Sequence, residues 1–573
     1  MRKSQGIPVS NGIAIGPCWI YRPLNIQIEQ YIISDPAGEI ARLKRAFEEA
    51  KHQLIQLQER ALENIGAAEA AIFEAHQLFV DDPEFIAKIQ TDIQNNLVNA
   101  EMAVEQAVEL FAGQMLALED DYFRERAQDI RDVGHRILCC LAGVSPERQQ
   151  PPNPVIILAD DLTPSDTVQF DRRMILGLCT RRGGPTSHTA ILSRSLAVPA
   201  AVSVPLEIDD LLNGATVILD GSTGIVTYEP DENELITATQ NKAEWDGHWQ
   251  SQIQTAHEPA QTRDGYLVEI VANIGGIDDA HQALKFGAEG VGLLRTEFLY
   301  LDYERVPSQE EQTAVYRQIF SLMGDRPVVV RTLDIGGDKP VDYLDLQLET
   351  NPFLGWRAIR MMREKPELLL DQFRALISAA SKETDLRIMI PMVSSIEEVL
   401  SARHLFDQAR SAVQKAGLLQ VEKCQFGIMV EVPSAALIAE HLADYVDFFS
   451  IGTNDLTQYA LAVDRTNERV AYLASPFHPA VLHLIAQTIT KAHQKGRWVG
   501  LCGEMAGDPQ AAPLLLGLGL DEFSMAPASI PGVKALIRQL TLEGCQEMAT
   551  KAIMLPSTGA VKDYLASWLE NHT

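Results

Sequence analysis

Val328-Val329-Val330-Arg331-Thr332-Leu333-Asp334 is a short apolar run that ends in an arginine and an aspartate. Three consecutive valines leave no polar face. The run therefore reads as a strand covered on both sides, as a parallel strand between helices must be. Seven further runs of this texture follow residue 263: Leu267–Asn273, Gly290–Arg295, Leu386–Met392, Phe426–Glu431, Val446–Gly452, Trp498–Cys502 and Glu522–Met525. Helical or loop stretches separate them. Eight such runs predict a (β/α)8 barrel over residues 264–573. The count alone also admits an open α/β sheet of about nine strands.

A barrel places its chemistry at the C-terminal ends of its strands. Those ends carry Asn273, Arg295, Arg331, Glu431, Asn454 with Asp455, and Cys502 followed by Gly503 and Glu504. Polar groups gathered there are costly to bury without a ligand. Arginine forks match carboxylate and phosphate oxygens. Glu431 and Asp455 offer hard oxygen ligands for Mg²⁺, which keeps its other positions for water and substrate. The Ile451–Asn454 turn is suited to aim backbone N–H groups at phosphate. Singly, each residue has a plainer reading, such as an Arg295–Glu297 or Arg331–Asp334 ion pair. As a set they point to a small phosphorylated acid.

A second constellation precedes the barrel: Gly183-Gly184-Pro185-Thr186-Ser187-His188-Thr189-Ala190-Ile191-Leu192. Gly183 and Gly184 permit a close, side-chain-free approach. Thr186 or Ser187 caps a helix that continues through Ala190, which puts His188 in or near its first turn. Free N–H groups and the positive dipole end favour an anion there, so a neutral imidazole nitrogen is a phosphate acceptor.

The N-terminal half has another texture. Residues 1–25 read as short strands. Asp35-Pro36 reads as an N-cap followed by proline at the first helical position. Ile40, Leu43, Phe47, Ala50, Leu54, Leu57 and Ala61 then form one stripe of a long helix, and Val104, Val108, Phe111, Met115 and Leu118 form another. Residues 36–144 thus predict a helical hairpin or small bundle. The prolines at 151, 152 and 154 end it, and strand-like segments return at Val155–Leu158, Met174–Gly177 and Thr216–Leu219. The polar stretch 229–263 reads as a partly helical linker.

Length and composition bound the function. A chain of 573 residues holds two to four domains, and 46% hydrophobic with 22% charged residues is the balance of a globular protein. A net charge of -30 argues against nucleic acid as partner and is compatible with a basic protein. Seven dispersed cysteines without CxxC spacing suit free thiols in a reducing compartment. No apolar leader and no membrane-length apolar run are read, so a cytoplasmic location is expected.

The His188 segment resembles the phosphohistidine signature shared by enzyme I of the sugar phosphotransferase system, pyruvate phosphate dikinase and phosphoenolpyruvate synthase. It departs at Pro185, where enzyme I proteins commonly have arginine; Arg181 and Arg182 flank the site. Gly290–Leu299, Arg331–Lys339, Asn351–Arg357, Ser450–Tyr459 and Leu501–Glu504 extend the resemblance to nearly the whole chain. On these motifs it is identified as a member of the enzyme I family, the phosphoenolpyruvate–protein phosphotransferases. The other two families need a nucleotide-binding domain; no segment is free to be one, and no GxxxxGK[ST] loop occurs.

The resemblance implies a multidomain α/β protein. Residues 1–25 plus 145–228 form a swivelling phosphohistidine α/β domain, 26–144 an inserted helical subdomain, 229–263 a linker and 264–573 a TIM barrel. It implies that His188 carries the phosphoryl group with Thr167, Gly183 and Gly184 in support. Arg295 and Arg331 hold the phosphoryl of phosphoenolpyruvate, with Arg357 and Arg465 nearby and Asn454 on the substrate. Glu431 and Asp455 bind Mg²⁺, and Cys502 protonates the enolate to give pyruvate. The acceptor is the carrier protein HPr, docked at His76, Leu78, Phe79, Asp82, Glu84 and Arg126, with Asp81 adding to an acidic rim. Ala67 and Ala68 stand where the family carries acidic residues, which leaves a different carrier open. A homodimer through the barrel is implied, and no nucleic acid or membrane insertion. The other reading is a non-catalytic, phosphoenolpyruvate-sensing paralogue.

Overall fold

The computed structural model describes residues 2–572 except 23, 25, 27, 65–66, 117–120, 145–150, 152, 185–186, 197, 206–211, 302–304, 337–342, 344–348, 350, 466 and 468–469. Within helices and strands, side chains are not described at 2, 62–64, 67–71, 116, 121–126, 172, 188, 191, 195–196, 301 and 362. The chain forms two compact units, Met1–His248 and Trp249–Thr573.

In the first unit β1 (Arg2–Gln5), β2 (Ile7–Ser10) and β3 (Ile13–Tyr21) precede five helices, α1 (Pro36–Asn64), α2 (Ala67–Val80), α3 (Pro83–Asn96), α4 (Ala100–Leu116) and α5 (Asp121–Ala142). The chain then returns through β4 (Val155–Ala159), α6 (Pro164–Gln169), β5 (Ile175–Thr180), α7 (His188–Leu196), β6 (Ala200–Val202), β7 (Thr216–Asp220) and β8 (Ile225–Tyr228), and α8 (Glu232–Gln254) runs on from this unit into the second. The strand order is β1-β8-β7-β3-β4-β5-β6-β2. β3 and β4 are parallel neighbours, with Cys18 opposite Ile156 and Tyr21 opposite Ala159. The five helices therefore leave and rejoin one sheet. One strand reading shifts in detail, and two short strands had no sequence signal. Met174 closes a 3₁₀ turn ahead of β5. The three-residue β6 and the four-residue β8 are too short to show periodicity.

Asp35 caps α1, accepting the Gly38 N–H at 3.0 Å. The α1 stripe from Leu43 to Ala61 is buried with Val104 and Val108 of α4 in one core, on which Ile40, Phe111 and Met115 pack. Neither helix hides its apolar face alone, which is why the bundle forms. Leu118 lies outside the described residues.

In the second unit β10 (Leu267–Ile274), β11 (Val291–Leu294), β12 (Pro327–Arg331), β13 (Asp385–Ile390), β14 (Lys423–Val430), β15 (Phe448–Ile451), β16 (Trp498–Leu501) and β17 (Glu522–Met525) run parallel. β10 pairs with both β11 and β17, so the sheet closes into a barrel and the open-sheet alternative falls. The short β9 (Ala260–Gln261) adds antiparallel to β10. Val328 and Val330 face the helical layer. Val329 points inward with Leu293, Met389, Met429, Phe448 and Cys502. That inward layer is the floor of the site. Below it Arg387 reaches Glu269 and Glu522 at 3.1 Å each, and Trp498 stacks on Phe448 at 4.5 Å.

Lys534 fixes the entry to the barrel. It is fully buried. Its ammonium pairs with Glu289 at 2.8 Å and donates to the carbonyls of Gly287 at 2.8 Å and Ala256 at 3.0 Å. Burial lowers its pKa, and Glu289 opposes that. Lys534→Met is expected to destabilise this unit by about 1–3 kcal/mol, because it takes the cation from Glu289 and the donor from the buried Ala256 and Gly287 carbonyls. Thermal melting followed by far-UV circular dichroism checks this.

Candidate active site

The barrel site is built from strand ends. Arg331 is the last residue of β12 and is buried. Its guanidinium meets Glu297 at 2.8 Å and Asp334 at 3.0 Å. Arg357 meets the same Asp334 through Nε at 2.8 Å and Nη2 at 2.9 Å, and its Nη1 lies 3.6 Å from Asp455. Asp334 is fully buried and shared by two cations. Burial by itself lowers the arginine pKa values; the surrounding carboxylates outweigh it and hold both side chains charged. The plain Arg331–Asp334 pairing thus exists. Glu297 pairs with Arg331, not with Arg295.

Arg295 follows β11 at the rim. It is exposed, and among the described residues it makes no ion pair. Crowding by protein and the neighbouring Arg331 cation lower its pKa. Its guanidinium is open to an incoming anion. Arg465 is also exposed, 4.0 Å from Asp455.

Glu431 follows β14 and is buried, accepting the Met392 N–H at 2.6 Å. Burial and the nearby Asp455 carboxylate push its pKa up. Asp455 sits in the first turn of the helix Thr453–Leu461. Its Oδ1 is buried and accepts no hydrogen bond. A Cβ at Gly452 would stand 3.3 Å from Glu431 Oε2, so the absent side chain leaves room beside the carboxylates. Two buried carboxylates, one with an oxygen that accepts no hydrogen bond, and the space beside them suit a divalent cation that keeps several waters. Among the described residues no three His, Cys, Asp or Glu side chains form a fuller cage. Asn454, one residue earlier, accepts the Glu504 N–H at 3.3 Å.

Cys502 follows β16 on the barrel floor and is 5% exposed. Its S–H points to the Ile451 carbonyl at 3.8 Å. Burial pushes the thiol up to about 11. Burial thus favours the thiol over the thiolate at neutral pH. Iodoacetamide at pH 8 is expected to alkylate Cys502 about 100-fold more slowly than an exposed cysteine, which titrates near 8.5. Peptide mapping by mass spectrometry reads this.

In the first unit Ser187 caps α7, its Oγ accepting the Ala190 N–H at 3.4 Å. His188 is therefore the first helical residue, at the dipole's positive end. Gly183 has φ +102, and a Cβ there would meet Ser187 Oγ at 3.0 Å. The His188 side chain, Pro185 and Thr186 lie outside the described residues. Thr167 donates to the Pro164 carbonyl at 2.8 Å within its own helix.

The expected partner face is corrected at His76. This residue is 1% exposed, with Nε2 3.3 Å from Asp129. It packs inside the bundle because its place on α2 faces α5. Leu78 is 66% exposed and Glu84 is exposed. Phe79 is half-buried against Phe85 at 4.6 Å. Asp82 caps α3 through the Phe85 N–H at 2.8 Å, and Asp81 pairs with Lys51. The side chains of Arg126, Ala67 and Ala68 lie outside the described residues.

Gln372 was missed. It is buried, accepts the Leu333 N–H at 2.9 Å and donates to Thr296 at 3.1 Å, bracing the segment after β12. A lone glutamine between Leu368, Leu369, Phe373 and Leu376 was the available signal.

The barrel with arginines, paired carboxylates and a protonated thiol at its strand ends, joined to an α/β unit with a histidine at a helix N-terminus, defines an enzyme that handles phosphoryl groups. Family models for PEP-utilising enzymes match in three parts: the N-terminal domain at residues 5–126, the mobile domain at 151–224 and the PEP-binding domain at 250–542. The phosphoenolpyruvate-protein phosphotransferase of Geobacillus stearothermophilus is 43% identical over 98% of this chain and 97% of its own. That of Bacillus subtilis (strain 168) is 42% identical over 98% of both. A solution NMR structure of an Enzyme I protein covers 42% of this chain and 99% of its own, at 38% identity and a TM-score of 0.37. The chain belongs to the phosphoenolpyruvate-protein phosphotransferase (enzyme I) family.

Proposed function

We propose that this enzyme moves the phosphoryl group of phosphoenolpyruvate to its own His188 and then to a histidine of an HPr-type carrier, releasing pyruvate. This is the first step of sugar uptake and phosphorylation. The observation that carries the reading is the convergence, at one barrel mouth, of Arg331, Arg357, Glu431, Asp455 and a protonated Cys502. Mg²⁺ on Glu431 and Asp455 would neutralise substrate charge.

Arg295, exposed and making no ion pair among the described residues, receives the phosphoryl oxygens, with Arg331 as its partner in that role. Arg357 and Arg465 flank Asp455, and Asn454 orients the substrate. A ring nitrogen of His188 forms the N–P bond as the bond to the enolate oxygen breaks. Positioning and charge neutralisation supply most of the acceleration. The enolate's π pair then takes the Cys502 proton at C3, leaving a thiolate that regains a proton from water. The helix N-terminus at His188 supports the phosphorylated ring, and Gly183, Gly184 and Thr167 are assigned to assist it.

The acceptor docks elsewhere, on the helical insert 26–144. Exposed Leu78 and Glu84 favour that surface, to which Phe79, Asp82 and Arg126 are also assigned. Reorientation of residues 1–228 about the polar segment 229–263 brings His188 to each site in turn. Exposed Leu354, Leu437 and Tyr472 on the barrel unit support association into a homodimer, which light scattering tests. No helix among the described residues is long and apolar enough to cross a membrane; a cytoplasmic location belongs to the same reading.

The test is pyruvate release on rapid mixing with excess phosphoenolpyruvate and Mg²⁺, without carrier. The reading requires a burst of about one pyruvate per chain. Tight phosphoenolpyruvate binding with no burst would favour the sensing paralogue instead.

A further inference from the structure

The ladder between β16 and β17 stops at Leu501 opposite Phe523. The next residue, Cys502, has its N–H on the Ile451 carbonyl at 3.0 Å, but its own carbonyl lies past the end of the β17 pairing. The donor comes from a strand two places away. Asn273 of β10 reaches across β17, and its Nδ2 donates to the Cys502 carbonyl at 3.0 Å and to the Ser524 carbonyl at 3.3 Å. Ser524 Oγ in turn donates to Asn273 Oδ1 at 2.6 Å, which fixes the amide's orientation.

Two further features build this reach. The β10–β11 register shifts between Ala272 and Asn273, and such irregularities re-aim a side chain. On β11, a Cβ at Gly292 would stand 2.4 Å from Ser524 Oγ, so a side chain there would displace the serine. Register shift, glycine and serine together hold one amide against one carbonyl.

We propose that Asn273, oriented by Ser524, is a positioning residue for the proton-transfer step. It pins the Cys502 peptide so that the thiol is held against the enolate carbon. The step is the one given above: the S–H bond breaks, the C3–H bond forms, the enolate becomes the ketone and sulfur keeps the S–H pair. This rests on the assignment of Cys502 as proton donor, and the controls separate the two claims.

The experiment compares two rates in the full-length enzyme with Mg²⁺. One is exchange of the pyruvate methyl protons with D₂O, followed by ¹H NMR. The other is formation of the phosphoryl adduct from phosphoenolpyruvate, followed by intact mass. Asn273→Ala is expected to lower the ratio of exchange to adduct formation at least about tenfold, within the range that general acid catalysis contributes. Ser524→Ala, which leaves the amide in place but unoriented, is expected to lower it by a smaller factor. An unchanged ratio in both variants, or equal losses in both rates, overturns the proposal. If Asn273→Ala does not fold, by circular dichroism, the Ser524→Ala ratio decides alone. Cys502→Ala tests the underlying assignment separately: exchange that persists in that variant removes the proton donor, and the positioning role with it.

Discussion

An Asp334→Ala variant is expected to lose about 3–5 kcal/mol of stability in the barrel unit, the usual cost of removing one partner of a buried ion pair. The effect is large because one fully buried carboxylate serves two guanidiniums, Arg331 at 3.0 Å and Arg357 at 2.8 Å. Among the described residues Arg331 then keeps Glu297, and the contacts of Arg357 include the longer one to Asp455. Arg357 is then drawn toward the carboxylates that the metal needs. Activity should therefore fall together with stability, by about a hundredfold, the scale of losing one fixed charge-stabilising group. Calorimetric melting and pyruvate release measure the two effects. A variant that melts like the parent would contradict the shared-counter-ion account.

Glu431→Gln should do the opposite to stability. Burial and Asp455 push the Glu431 pKa up, so its charged form is strained in the metal-free fold. A group raised in the folded state adds stability below its unfolded pKa and loses that contribution as pH rises through the folded one. The isosteric amide removes this cost. The metal-free variant should melt at the parent's temperature or above it at pH 8. Pyruvate formation should nevertheless fall by roughly 10²–10³, since a fixed charge at the reacting centre is lost. Added Mg²⁺ should raise the melting temperature of the parent and not of the variant. Undiminished activity in Glu431→Gln would remove the metal assignment.

Much of the barrel was legible because its strands carry the signal locally. Val328–Val330 and Phe426–Val430 are continuous apolar runs, and the polar residues that end them mark the mouth. Closure was not legible, because the β10–β11 and β10–β17 pairings are long-range. The partners of each arginine were equally hidden. Asp334 and Glu297 are close in sequence to several arginines, and only the fold decides which cation each one meets. His76 shows the same limit. Its neighbours Leu78 and Phe79 suggested an exposed apolar corner, but helical phase turns His76 inward to Asp129. Asn273 stood out as a polar strand end, yet its role depends on where the β16 ladder stops.

The most direct measurement is intact mass of the enzyme after incubation with phosphoenolpyruvate and Mg²⁺ at mildly alkaline pH, with His188→Ala alongside. One phosphoryl adduct per chain that needs Mg²⁺, maps to the His188 peptide and is absent from the variant is the result this account predicts. An adduct that persists in His188→Ala would contradict it.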